Sequence, residues 1–395
     1  MRLQPENQGN NTVAGLYIHV PFCIQKCPYC DFYSVTDLSK VKAFVQALQR
    51  EISLTKTYGL QFDTIYLGGG TPSVLNRGQI EEILKSVYSR FSFSQDIEIT
   101  IEVNPGTLFL NSLEAFIRHG INRINIGIQS FYNQNLRFLQ RIHSAQQACE
   151  AIDMTRKAGV ENLGLDLIYG LPNQSRKYWL KDLKKAISYE PEHISCYMLT
   201  YEQGTLLHEW RQQGRFTPLD EDMVRRLFED TISFLKEAGY AQYEISNFSR
   251  KKAFRSRHNQ KYWSHAPYVG LGPSAHSFIR PMRWWNYHNL KDYLQVLESG
   301  LLPIGNSEDL TPNQLMLESI FLGLRTSSGI ETLRFKKEYG IDFSHHFSPI
   351  LERLQAQNLL SVSDERCVLT LEGMIFSDTI AKMFAEFIAE LSDSS

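Results

Sequence analysis

From residue 14 to about 200, short apolar and β-branched runs alternate with longer stretches whose apolar residues recur every three or four positions. The runs GLYIHV, DTIYLGG, IEITIEVNP, INRINIGIQS, NLGLDLIYG and HISCYML each predict a strand. Between them, LSKVKAFVQALQREISLTK and NSLEAFIRHG carry a helical period, the second with Gly120 as its stop. Strand and helix in alternation predict parallel strands joined by crossover helices. Six such units fit an α/β fold built as an open, partial (β/α)6 barrel better than a closed eight-unit one. A doubly wound open sheet is the alternative.

Past residue 200 the pattern loosens into YEQGTLLHEW, a helix in LDEDMVRRLFEDTISFLKEAG, a strand in AQYEISNFS and an aromatic-rich stretch. After Asn306 the chain reads helix, helix, then LLSVSDERCVLTLEG as a hairpin, an order that resembles a winged helix. The expected divisions are a flexible N-terminus over 1–13, a core barrel over 14–250, a connecting segment over 251–305 and a mostly helical, winged-helix-like domain over 306–395.

In a parallel α/β sheet, chemistry collects at the carboxyl ends of the strands, where loops and helix N-termini converge. Cys23, Cys27 and Cys30 follow the first strand, Gly68, Gly69, Gly70 and Thr71 end the second, and Glu102 ends the third. Gln129 ends the fourth, and Asp166 lies late in the fifth. The cysteines have the spacing C-x3-C-x2-C, and soft thiolates select zinc or iron–sulfur clusters. A structural zinc site wants four ligands, commonly two spaced pairs, and no second pair exists; His19 could add a nitrogen only from within a strand, with Pro21 intervening. A 4Fe–4S cube on three cysteines keeps one iron open to a small chelating molecule. GGGTP offers three residues without side chains, so that backbone can approach a ligand, or else an ordinary tight turn.

Hydrophobic residues at 43% and charged residues at 21% of 395 describe an average soluble, folded chain. A formal charge of -2 supplies no global field for nucleic acid or an anionic bilayer. From Glu308 to Ser395 there are 7 Lys/Arg against 14 Asp/Glu, a net of -7, so the winged-helix-like domain is not expected to hold DNA phosphates. No signal-like start is visible and no apolar run approaches ~18 residues, which predicts a cytoplasmic protein. Cys149, Cys196 and Cys367 are scattered and read as small buried hydrophobes.

A C-x3-C-x2-C motif after the first strand of a βα array resembles the radical S-adenosylmethionine (SAM) superfamily. YIHVPFC, GGGTPS, IEVNP, NIGIQSF, Arg141, DLIYGLP and the HNxxYW string from His258 to Trp263 together resemble the oxygen-independent coproporphyrinogen III oxidase family, and within it the heme-chaperone branch. The resemblance runs from Leu16 to about Ile380. It implies that Cys23, Cys27 and Cys30 hold a 4Fe–4S cluster, and that Tyr17, Gly69, Gly70, Thr71, Glu102, Gln129, Arg141 and Asp166 bind SAM. Carboxylates suit ribose hydroxyls and an ammonium, and a guanidinium suits a carboxylate.

The oxidases decarboxylate propionate side chains with a radical made from SAM. Their motif continues with a cysteine two places beyond the third, where this chain has Phe32, and they carry a longer N-terminal extension than the 22 residues before Cys23. Both departures match the heme-chaperone branch, whose members bind heme and pass it to acceptor proteins. Heme chaperone is therefore the expected function, with the oxidase as alternative and radical catalysis left open. Implied partners are heme and heme-accepting proteins, with peripheral contact to membrane hemoproteins and a homodimer as further expectations. RHNQKYWSHAPYVGLGPSAHSF offers His258 as candidate axial heme donor, with His265 and His276 beside it; the alternative is a packed aromatic core. GLGPSA within it reads as a turn near the site.

Overall fold

The computed structural model describes residues 13–393; apart from Val13, the expected flexible N-terminus lies outside them. Strands β1 (Ala14–Val20), β2 (Gln61–Gly69), β3 (Ser92–Val103), β4 (Arg123–Gln129), β5 (Asn162–Tyr169) and β6 (His193–Met198) are parallel and stand in their sequence order. Between them run α1 (Val41–Leu54), α2 (Arg77–Arg90), α3 (Leu110–Arg118), α4 (Asn133–Phe138), α5 (Ala145–Lys157) and α6 (Arg176–Ile187). A doubly wound sheet reverses its strand order at a switch point, whereas here every crossover steps the same way. The free edges of β1 and β6 take other strands rather than each other, so the barrel is partial and open.

Period two explains what each strand faces. Ile99, Ile101 and Val103 on β3, Ile124, Ile126 and Ile128 on β4, and Leu163, Leu165 and Leu167 on β5 are buried in the main apolar core. The alternate positions are polar or small, and register brings them side by side: Thr100 beside Arg123, Glu102 beside Asn125, and Gly127 beside Asp166 and then Ser195. The outer face is covered by amphipathic helices, and the inner face forms a polar barrel interior that opens at the strand ends.

The run AQYEISNFS is not one strand but two, β7 (Ala241–Gln242) and β8 (Asn247–Ser249), antiparallel to each other. The Glu244 carboxylate accepts the Ser246 amide and turns the chain between them. The segment over 251–305 does more than connect. Its helix Arg257–Trp263 carries HNxxYW, its β9 (Tyr268–Leu271) pairs in parallel with β1, and β10 (His276–Ile279), β11 (Met282–Asn286) and β12 (Ile304–Asp309) extend the sheet. β12 runs through position 306, because its backbone groups are taken up by β11.

Glu51 on α1 fastens this extension to the barrel. Its buried carboxylate accepts the Gly272 amide at 2.8 Å, the Tyr293 hydroxyl at 2.7 Å and the Asn286 side-chain amide at 2.5 Å, so it anchors the GLGPSA turn. Glu51→Leu leaves those donors unmatched and is expected to cost roughly 3 kcal/mol of stability, read as a lower urea midpoint.

The C-terminal region has its own core, in which Phe335, Phe343, Phe347, Leu354 and Phe384 pack together. Helices Pro312–Leu324, Thr332–Tyr339 and Ser348–Ala356 surround a three-stranded sheet of β13 (Ile330–Glu331), β14 (Leu360–Val362) and β15 (Arg366–Leu369), with β15 in the middle. The hairpin β14–β15 follows the helices as expected, and strand β13 and a third helix add to the expected order. Among the described residues no helix is long and apolar enough to cross a membrane.

Candidate functional site

The cysteine loop leaves the end of β1 and is closed by backbone bonds. Val35 N–H donates to Pro21 O at 2.7 Å, Cys23 N–H to Val35 O at 3.0 Å, and Cys30 N–H to Cys27 O at 3.1 Å. Burial pushes the Cys30 thiol up to about 11, and the Cys27 and Cys23 thiols add to the rise against a backbone hydrogen bond at Phe32. Two side chains point donors at the other sulfurs: the Thr71 hydroxyl lies 3.4 Å from Cys23 Sγ, and Arg141 Nη1 lies 3.6 Å from Cys27 Sγ. Among the described residues no three His, Cys, Asp or Glu side chains close around a single ion. A cube binds each cysteine at a separate iron, so three soft thiols with outside donors fit an iron–sulfur cluster. His19 is no zinc ligand here, since Nδ1 meets the Tyr17 hydroxyl at 3.0 Å and Nε2 donates to Tyr33 O at 2.8 Å.

The triple-glycine turn is tied to this loop. Gly70 N–H donates to Val20 O at 2.9 Å and Thr71 N–H to Phe22 O at 2.7 Å. Gly69 has φ +103, and a Cβ there would sit 2.6 Å from the His19 ring. A Cβ on Gly70 would sit 2.7 Å from Phe22 O and 2.9 Å from Val20 O, which are backbone atoms that cannot swing away.

Cys30, Gly69, Gly70, Thr71, Glu102, Gln129, Arg141 and Asp166 line one cavity of about 1080 Å3. The Tyr66 hydroxyl donates to Glu102 Oε1 at 2.6 Å, and Asn125 Nδ2 donates to Asp166 Oδ2 at 2.5 Å. Burial raises the Glu102 carboxyl to about 7, partly offset by the Tyr66 bond, with Asp166 raising it further. Burial also raises Asp166, against hydrogen bonds from Ser195 and Asn125. Asp166 Oδ1 and Arg141 Nε are buried and have no partner within the protein, so each is left to a ligand or water. Arg141 is aimed by its Nη2 bond to Gly127 O at 2.9 Å. Gln129 sits at the end of β4 with φ 65, where the strand breaks.

Tyr17, Cys23, Cys27 and His258 are not on the cavity wall. Tyr17 lies deeper, its ring 6.2 Å from that of Tyr66, so it backs the residue that holds Glu102. His258 is buried in the core, with Nδ1 2.8 Å from Thr64 Oγ1, Nε2 2.9 Å from the Tyr262 hydroxyl, and its ring stacked on Tyr66. Burial, with Lys261 and Arg123 nearby, lowers its pKa to about 3. The packed-core alternative for the aromatic stretch describes His258, and His265 is likewise stacked flat on Phe278. An axial role for His258 would require breaking one of its two hydrogen bonds and bringing the buried ring to a ligand.

Sequence reasoning missed Tyr66, Asn125 and Tyr29, the last within reach of Arg141 Nη1 at 3.4 Å. The first two were marked by a polar residue at alternate positions of an apolar strand.

The sequence model of the Radical SAM superfamily matches residues 17–186, and that of the HemN C-terminal domain matches 310–376. The heme chaperone HemW of Bacillus subtilis (strain 168) is 32% identical to this chain, across 95% of it and 99% of its own length. That of Escherichia coli (strain K12) is 40% identical, across 93% and 97%. The solved structure of Escherichia coli coproporphyrinogen III oxidase (HemN), a radical SAM enzyme, matches with a TM-score of 0.82 at 24% identity, across 95% of this chain and 90% of that one, and shows the shared fold. The chain belongs to the HemW heme chaperone family, within the radical SAM superfamily.

Proposed function

We propose that this protein is a heme chaperone, working in the cytoplasm, that binds heme beside a SAM-ligated 4Fe–4S cluster and hands the heme to acceptor proteins. The near full-length likeness to heme chaperones HemW carries the reading. Cys23, Cys27 and Cys30 hold the cluster, and Thr71 and Arg141 temper its charge through their donors to sulfur. Gly69 and Gly70 offer backbone to SAM, Glu102, Gln129 and Asp166 take its hydroxyls and ammonium, Arg141 presents its free Nε, and Tyr17 supports the floor. Together the cluster and SAM supply one-electron chemistry when bound.

The test is anaerobic. Cluster-loaded protein should take up heme and restore the spectrum of an apo-hemoprotein, while coproporphyrinogen III stays intact beside a known oxidase. The oxidase reading is favoured by one observation, the complete set of cysteines, glycines and strand-end carboxylates. Product at a rate comparable to the oxidase would overturn the chaperone reading. Sedimentation and vesicle flotation with heme present would test self-association and peripheral membrane contact.

Three substitutions probe the residue roles. Asp166→Ala removes a buried carboxylate oxygen without a protein partner and is expected to weaken SAM binding about tenfold, read by calorimetry. Because burial raises the Glu102 carboxyl to about 7, it is largely protonated below that pH and ionised above it. As the ionised form is the better acceptor, SAM affinity should rise between pH 6 and 8, about one unit on either side of that value, and the rise should vanish in Glu102→Gln. His258→Gln should leave heme affinity unchanged; a large loss would restore His258 as a ligand.

A further inference from the structure

The cavity of about 1080 Å3 lies at the upper end of single-ligand pockets, which run roughly 300–1,000 Å3. Its polar floor is the strand-end set already described. Its outer half has a different character, with Met198 from the end of β6, Val224 and Phe228 from the helix Glu221–Glu237, and Met374 and Ile375 from the C-terminal region forming an apolar wall. Three guanidiniums border this wall: Arg211, Arg225 and Arg325.

Two of those cations are paired with carboxylates of the C-terminal region, Arg225 from the barrel side and Arg325 from within that region. Arg225 pairs with Glu372, and also with Glu229 at 3.0 Å on its own helix; Arg325 Nη1 meets Asp378 Oδ1 at 2.6 Å. Asp31, Glu202 and Glu221 also line the cavity, so the cations do not stand in a purely positive field. The Asp378 side chain is 80% exposed and that of Glu372 32%, and pairs so open to water contribute little to stability. Exchanging such a carboxylate for a ligand's carboxylate costs little, while the apolar face of the ligand gains contact with the wall.

We propose that this outer half seats a flat, apolar dicarboxylate of the heme class, whose two carboxylates displace Glu372 and Asp378 from Arg225 and Arg325. The proposal rests on the heme-chaperone reading and names the seat within it. Loading then loosens one tie between barrel and C-terminal region, Arg225 to Glu372, and one within that region, Arg325 to Asp378, and release restores them.

Heme is titrated by absorbance into the wild type, Arg225→Gln/Arg325→Gln and Glu372→Gln/Asp378→Asn, and heme dimethyl ester into the wild type. The arginine variant should bind heme about tenfold more weakly, and the ester should bind the wild type as weakly as heme binds that variant. The carboxylate variant should bind heme more tightly than the wild type, a gain that a misfolded protein cannot give. Equal heme affinity in all three proteins, or equal affinity for heme and its ester, overturns this seat and leaves the chaperone reading intact. Failure of the wild type to bind heme overturns the chaperone reading itself, and this seat with it.

Discussion

Cys27→Ser is expected to leave a folded protein that cannot hold its iron–sulfur cluster. The loop does not depend on the thiol, because its closure comes from backbone bonds between Pro21, Cys23 and Val35 and between Cys27 and Cys30. What is lost is one of three soft donors, and the hard serine oxygen does not replace a thiolate on iron. After anaerobic reconstitution, iron and sulfide per chain should fall to near background while the far-ultraviolet circular dichroism stays unchanged. SAM affinity should fall in parallel, since the open iron is one of its anchors. Full iron loading in the variant would show that the cysteines are not the cluster ligands.

Gly70→Ala should be nearly as damaging, although it adds a single methyl group. The new Cβ would lie 2.7 Å from Phe22 O, 2.9 Å from Phe22 N and 2.9 Å from Val20 O. Those oxygens accept the Thr71 and Gly70 amides, so relief of the clash breaks the bonds that hold the glycine turn against the cysteine loop. Both ligand sites move together, and we expect cluster loading and SAM affinity each to fall about tenfold or more. Gly78→Ala in α2 is the matched control, with only Asn76 Oδ1 at 3.5 Å beside the new methyl. It should keep both ligands and gain about 0.5–1 kcal/mol from helix propensity. Retained loading in Gly70→Ala would mean that the turn and loop adjust independently.

The barrel strands were legible because their outer faces are unbroken apolar ladders, as in Ile99–Ile101–Val103, and such ladders need only local pattern. The strand-end residues were legible for a topological reason: every parallel strand ends on the same side, so Glu102 and Asp166 had to converge. The four strands β9 to β12 were not legible, because YVGL and HSFI are short and the partner of YVGL, β1, lies far away in sequence. The surroundings of His258 were not legible for a related reason. Its string offered a donor, but Thr64 on β2 meets one nitrogen, a contact that exists only once the helix packs on the sheet, and Tyr262 one turn along the helix meets the other. Tyr66 and Asn125 required asking which side of each strand faces inward, a period-two question that a search for motifs does not pose.

The strand that delivers the cysteines is also the one that waits longest for its neighbour. β1 pairs with β2 soon after both are made, but its other edge is filled by β9, with Gly15 opposite Tyr268. On a ribosome the chain through residue 186 can therefore emerge with the cysteine motif present and one edge of its strand bare, a surface open to foreign pairing. Glu51, facing Gly272, Asn286 and Tyr293, is a buried carboxylate without partners until the same late segment arrives. A chain cut short before β9 leaves that edge and that carboxylate uncovered and should be cleared by proteolysis faster than the full chain.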